Sequence, residues 1–161
     1  MPTLSIQLVG QGKDANGRSV AVPSSIALIQ RGPVVQVSIT VDPLIAAPIV
    51  QRGGTLPPPV TGLALIDTGA SNTCIDEEAA TDLQLPAIDV VNVSSASHSS
   101  TQQNVYPIQI EVVGIPIKVS AARAIGAPLK VQGLIALIGR DILQHSVFVY
   151  NGMTGSFSFS I

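Results

Sequence analysis

The sequence predicts a small closed all-β domain with one or two short helices. Three observations carry that reading. Val, Ile, Ser and Thr fill short segments of alternating polarity. Fourteen Gly and 12 Pro break a chain of 161 residues at close intervals. Helix candidates are few, Asp76 to Leu83 and Gly139 to Gln144.

The elements follow in order. Leu4, Ile6 and Leu8 alternate with polar neighbours, as in a half-buried strand. Asp14-Ala15-Asn16-Gly17 is a turn signal, with Asn-Gly as the hairpin corner. Val20 to Ile29 and Val34 to Val41 read as strands, and Val35, Val37, Ile39 and Val41 alternate cleanly. Pro43 to Pro59 reads as a surface loop, because Gly53-Gly54 and Pro57-Pro58-Pro59 are breakers. Val60 to Ile66 is a buried strand running into Asp67. Asp76 to Leu83 is the better helix, with acids in its first turn and Pro86 beyond its end. Strands follow at Ala87 to Val93, Val105 to Val113 and Ile115 to Ala121. Ser94 to Asn104 is a polar hairpin tip, and Gly114 a corner. Leu134 to Ile138 is a buried strand, and Gly139 to Gln144 opens a second short helix. Phe148 to Tyr150 and Ser156 to Ile161 are the last strands, joined by an Asn151-Gly152 turn.

The length fits one domain over residues 1–161. Residues 60–161 form its core. Residues 1–59 are an N-terminal extension of strands and loop, either part of the domain or a removable pro-segment. Charged residues make up 11% of the chain and hydrophobic residues 46%, with a net charge of −2. That balance offers no basic field for nucleic acid. No apolar stretch approaches the roughly 18–20 residues that span a bilayer, and no signal-peptide pattern opens the chain. The expected setting is cytoplasmic, without a membrane partner. One cysteine, Cys74, excludes an internal disulfide. So apolar a chain suggests that part of its surface is covered by a second subunit.

The run Ala64-Leu65-Ile66-Asp67-Thr68-Gly69-Ala70-Ser71 holds the chemistry. It sets one carboxylate between an apolar strand and a glycine turn. Water attacks an amide poorly, so hydrolysis needs a base for its proton and an acid for the carbonyl. Two carboxylates sharing a proton do both, because like charges about 3 Å apart cannot both ionise. The chain has one such run, hence half of such a site. Asp67 would be the acid or base. The Thr68 hydroxyl would lock two loops together, and Gly69 would permit the turn.

These residues resemble the retropepsin-like aspartic proteases, single-domain and homodimeric. Leu65 to Ala70 is similar to that family's catalytic loop. Leu137-Ile138-Gly139-Arg140-Asp141-Ile142-Leu143 is similar to its second signature, which packs behind the loop. The resemblance covers about Val60 to Ile161 and is closest to cellular and bacterial members. It implies an acid-protease barrel, one half of a pepsin-like bilobal fold. It also implies a homodimer with one Asp67 from each chain, a peptide or protein substrate, and no cofactor or metal. Leu65, Ser71 and Leu137 would touch substrate, with Ser95, Ala96, Ser97 and His98 in a flap. Ile138, Gly139, Arg140 and Asp141 would be structural. Leu4 to Val9 and Ser156 to Ile161 would be free strands for an intersubunit sheet.

Two departures stand out. Viral members carry an acid after Gly-Ala that pairs with the signature Arg. Here Ser71 and Asn72 follow, so Arg140 needs another partner: Asp76, Asp141 or a carbonyl. The flap segment also lacks glycine.

Other residues read more plainly. Cys74 would need a positioned His to act as a nucleophile, and His98 and His145 signal no such partnership; it reads as a buried structural thiol. Two His and one Cys without ligand spacing give no metal site. Asp76, Glu77, Glu78 and Asp82 read as a solvated helix face. Two alternatives stand beside the protease. One is a non-catalytic member of the same fold that dimerises or binds peptides. The other, more remote, is a fragment of an actin-like ATPase, whose first phosphate loop Ile66 to Thr73 also resembles.

Overall fold

Val35, Val37, Ile39 and Val41 all turn to one side of their strand and are at most 8% exposed. Alternation of this kind, repeated strand by strand, closes a sheet around a dry interior. The computed structural model describes residues 1–95 and 98–161, with backbone alone at positions 95, 98 and 99. The chain begins with β1 (Thr3–Gln7), β2 (Gly10–Lys13), β3 (Ser19–Val22), α1 (Ser24–Arg31), β4 (Val34–Val41) and α2 (Pro43–Gln51). Next come β5 (Val60–Ile66), β6 (Cys74–Asp76), α3 (Glu77–Asp82), β7 (Asp89–Ser95), β8 (His98–Val112) and β9 (Ile117–Ala127). The last elements are β10 (Ala136–Ile138), α4 (Arg140–Leu143), β11 (Val147–Asn151) and β12 (Ser156–Ser160).

The main sheet runs β4-β5-β10-β6-β9-β8-β7, and a further pairing of β4 with β8 closes its first six strands into a barrel. The fold is all-β, as expected. Inside lie Val35, Val37, Ile39, Ala64, Ile66, Ile75, Ile108, Ile110, Ala136 and Ile138. β7 lies outside the closed ring and forms a hairpin with β8, Val90 opposite Asn104 and Val93 opposite Thr101. A hairpin was expected here, but with Ser94 to Asn104 as its tip; instead β7 runs to Ser95 and β8 begins at His98, because ladder pairing continues through Thr101, Gln102 and Asn104 despite their polarity. Its tip, with Ala96 and Ser97, lies outside the described residues, as do the side chains of Ser95 and His98.

A second sheet, β1-β12-β11, brings the chain ends together. Leu4 faces Phe159 and Ile6 faces Phe157. Phe148 stacks at a tilt on Phe157, with ring centroids 6.1 Å apart. The two terminal strands are therefore not free, contrary to the expectation for an intersubunit sheet. They pair with each other because their apolar alternations match in register and cover α1, whose Leu28 is fully buried. The turn before β12 also seats on α1. A Cβ on Gly155, whose φ is +68°, would fall 2.0 Å from the Ser24 carbonyl carbon, so only glycine fits.

Four α-helices and one 3-10 turn (Lys130–Gln132) occur among the described residues, where one or two short helices were expected. Val20 to Ile29, read as a strand, divides at Pro23 into β3 and α1. Pro23 donates no ladder hydrogen bond, and Gly32, with φ +72°, ends the helix. The apolar run Ile26 to Ile29 suits a helix and a strand alike, and burying only Ala27 and Leu28 selects the helix. Pro43 to Pro59, read as a loop, contains α2. Asp42 caps it by accepting from the Leu44 N–H at 2.9 Å, and Pro43 occupies the first turn, where its missing N–H costs nothing. These local signals outweigh Pro48 inside the helix.

Asp76 also departs from expectation. It is 4% exposed rather than part of a solvated face. One carboxylate oxygen accepts from the N–H groups of Glu78 at 3.1 Å and Ala79 at 3.4 Å, capping α3. The other accepts from the N–H groups of Leu129 and Lys130, each at 2.8 Å. Glu77, Glu78 and Asp82 are exposed, as read. Asp76→Ala is expected to lower stability by about 2–3 kcal/mol, because four donors lose their acceptor. Glu77→Ala is expected to stay within about 0.5 kcal/mol of the parent. Urea unfolding of the two variants checks both.

Candidate active site

The site is built where two strands of the barrel end side by side. β5 and β10 run parallel, Leu65 opposite Leu137 and Ile66 opposite Ile138. The pairing extends one step further, because the Asp67 N–H donates to the Ile138 carbonyl at 3.0 Å. The second signature thus fixes the backbone of Asp67 directly. Beyond it the chain turns. The Gly69 N–H donates to the Asp67 carboxylate at 2.8 Å, and the Ala70 N–H to the Asp67 carbonyl at 3.3 Å. A Cβ on Gly69 would sit 3.0 Å from that same carboxylate oxygen, so a side chain here would crowd it. Asp67 is half-buried, and Thr68 and Gly69 are exposed.

Arg140 holds the outside of the loop. Its guanidinium donates to the carbonyls of Thr68 at 2.8 Å and Gly69 at 3.3 Å, and to the Ser71 hydroxyl oxygen at 2.8 Å. Of the partners considered, the carbonyls are found. The planar fork serves three acceptors in place of one carboxylate. The backbone N–H groups of Arg140 and Asp141 donate to the carbonyls of Ala70 and Ser71 at 3.0 and 3.2 Å. Behind the loop, Thr73 donates to the Asp141 carboxylate through its N–H at 2.9 Å and its hydroxyl at 2.8 Å. The Thr73 hydroxyl oxygen accepts from the Gly139 N–H at 3.2 Å. Thr73 and its role were not anticipated, since nothing in a lone Thr five residues past a turn announces a distant acid. Gly139 is required by space alone: a Cβ would lie 2.4 Å from the Asn72 carbonyl carbon.

Leu65 and Leu137 are both half-buried on the outer side of the barrel, adjacent in register, while Ile138 is buried in the core. Leu65 reaches a groove of about 530 Å³ whose walls include Val34, Leu63 and Leu134, with Gln30 and Arg31 at the end of α1. A second groove of about 410 Å³ lies between Asn72 and the β7 strand, with Val91, Val93 and Ile125 on its walls. The contribution of α1 was not legible, because its residues were read as a strand.

Cys74 is half-buried opposite Leu137. Burial, with the charges of Asp141 and Asp67 adding to it, pushes its thiol up to about 11. A thiolate nucleophile is thereby disfavoured. His145 is exposed on the turn after α4. No group of His, Cys, Asp and Glu suited to a metal ion occurs among the described residues, and none of the helices described is long and apolar enough to cross a membrane.

The sequence matches the model of a family described as "gag-polyprotein putative aspartyl protease" over residues 60–145. No curated protein matches it. Among solved structures, the chain is similar to the simian foamy virus protease at 20% identity and TM-score 0.43, over 70% of this chain and 92% of that one. It is also similar to a retropepsin-like aspartic protease from Rickettsia conorii at 11% identity and TM-score 0.46, over 98% of this chain and 92% of that one.

Gly139→Ala is expected to cost about 1–3 kcal/mol through the forced separation of the two signatures, read as a drop in the midpoint of thermal unfolding. Raising the Cys74 thiol from 9.0 to about 11 cuts its thiolate fraction near pH 8 by roughly 100-fold. Iodoacetamide is accordingly expected to alkylate the native protein far more slowly than the urea-unfolded chain, and a rate equal in both states would contradict the burial.

Proposed function

Because the chain belongs to the gag-polyprotein aspartyl protease family, we propose that it is an aspartic endopeptidase in which two copies each supply one Asp67. The observation that carries this reading is the loop itself. A single Asp-Thr-Gly turn presents its carboxylate at the surface, and the second signature holds it through Ile138, Arg140 and the strand pairing beneath. One chain offers half of the acid–base pair, so a second must offer the rest.

The chemistry then follows. An extended peptide lies along the loops, with Leu65 and Leu137 as apolar wall and the β7–β8 hairpin above it. One Asp67 carboxylate takes a proton from water, whose oxygen attacks the scissile carbonyl carbon. The other Asp67, protonated, donates to the carbonyl oxygen. Collapse of the tetrahedral species breaks the C–N bond as one of its hydroxyls returns a proton to the ionised Asp67 and the leaving nitrogen takes one from the protonated Asp67. The shared proton belongs to the pair, so the rate should peak under acidic to mildly acidic conditions. Thr68, exposed beside Asp67, would bond across the two-fold axis of such a pair. Ser71 remains a candidate for substrate, although its oxygen already accepts from Arg140.

The β1-β12-β11 sheet supports dimerisation. None of its residues is charged, its ladders run without a bulge, and the outer edge of β11 is unpaired among the described residues. Val147 and Val149 on that edge are more than half exposed. Solitary edges usually carry a charge or a bulge against association. We also read residues 1–59 as part of the fold, because β4 is a barrel strand and β1 pairs with β12. The single cysteine fits a reducing compartment such as the cytoplasm.

Cleavage of a peptide library between about pH 3 and 7, at several protein concentrations, tests the reading. Asp67→Asn is expected to lower kcat/KM by roughly 10²–10⁴-fold. Activity is expected to rise faster than linearly with protein while dimers are scarce. Linear activity from a proven monomer would refute the shared site.

A further inference from the structure

The groove beside Leu65 carries more than an apolar wall. Val34, Leu63, Leu65 and Leu134 line it, and Arg31 stands at its rim as the last residue of α1. Among the described residues Arg31 enters no salt bridge and no side-chain hydrogen bond. Four other cations are engaged: Lys118 with Glu111, Arg123 with Asp89, Lys130 with Glu78, and Arg140 with the loop carbonyls. Lys13, Arg18 and Arg52 also stand without an acid, but on the β2–β3 hairpin and after α2. Arg31 alone combines a free guanidinium with a place in the groove that the Asp67 strand forms.

The groove also lacks any carboxylate. Its remaining polar side chains, Gln30 and Gln132, are neutral amides. The groove that shares the other side of Gln30 and Arg31, along Val22 and Ala27, has no acid either. A chain with net charge −2 thus presents an uncompensated positive group to both grooves, of which the one beside Leu65 adjoins the Asp67 strand. Helix geometry explains why a cation is tolerated there, since the carbonyl end of α1 favours it. It leaves the five N–H donors unspent.

We propose that Arg31 is a specificity-determining residue that selects peptides bearing a carboxylate close to the scissile bond. The proposal rests on the protease reading and names its substrate class: an apolar side chain against Leu65, and an Asp or Glu further along on the same side of the strand. Leu65 lies two residues from Asp67, about 7 Å along a strand. An extended substrate advances about 3.3 Å per residue, with alternate side chains on one face. The Ile66 N–H donates to the Pro33 carbonyl at 3.0 Å, two residues past Arg31, so Arg31 lies beside the end of the Asp67 strand and the acid is expected within about four residues of the bond that is cut.

Two measurements separate this inference from the reading beneath it. In library cleavage, the wild type should favour acidic over basic residues at one position near the cut, and Arg31→Glu should reverse that choice. The expected change in kcat/KM for matched Glu and Lys peptides is roughly 5–10-fold in each direction, and Arg31→Lys should restore part of it. The same peptide pair, fluorescently labelled, is then titrated onto Asp67→Asn protein with and without Arg31→Glu. Binding that follows charge in this uncleaving background supports the inference even if the wild type cuts nothing, in which case the protease reading fails alone. Cleavage or binding indifferent to the sign at every position, or unchanged by Arg31→Glu, overturns it.

Discussion

The close approach of Gly139 to the Asn72–Thr73 backbone is the constraint on which the rest of the site depends. It lets β10 lie flush beside the catalytic loop, so that Ile138 can accept from Asp67 and α4 can begin beneath Ala70 and Ser71. Remove that contact and the loop loses its backbone partners on one side. What remains is a short turn of small residues, which would not hold a carboxylate in one place. Preorganisation here comes from backbone hydrogen bonds, which are short-range and directional, more than from burial of the acid itself.

The same economy governs the charged groups. Asp76, Asp141 and Arg140 act on backbone groups at the joints of the fold: Asp76 at the start of α3, Asp141 at Thr73, Arg140 at the loop carbonyls. With so few ionisable residues in the chain, most of those near the loop have a structural task. Arg31 stands apart because no such task falls to it.

Much of this was legible in the residues. β4 and β5 run over the segments expected, since clean alternation and an unbroken apolar run each admit one reading when flanked by breakers. Asp67 stood out as a carboxylate between an apolar strand and a glycine turn, and Gly139 and Arg140 through their resemblance to the family's second signature. Other features were hidden for physical reasons. β6 has three residues, too few to show a period, and its partners lie far along the chain. The strand-like Ile26 to Ile29 became helical once Pro23 had interrupted the ladder. The bond of Thr73 to Asp141 and the reach of Arg140 to two carbonyls arise only when distant segments meet.

The pairing of β1 with β12 has a consequence for how the molecule comes into being. Thr3 lies opposite Ser160, so β1 finds its neighbour in a strand about 150 residues further along. Loop closure over nearly the whole chain is slow compared with local hairpins. During synthesis β1 must wait, its apolar side uncovered, until β12 exists. Completion of the second sheet, and of any surface it offers to another copy, is thereby deferred until β12 has been made.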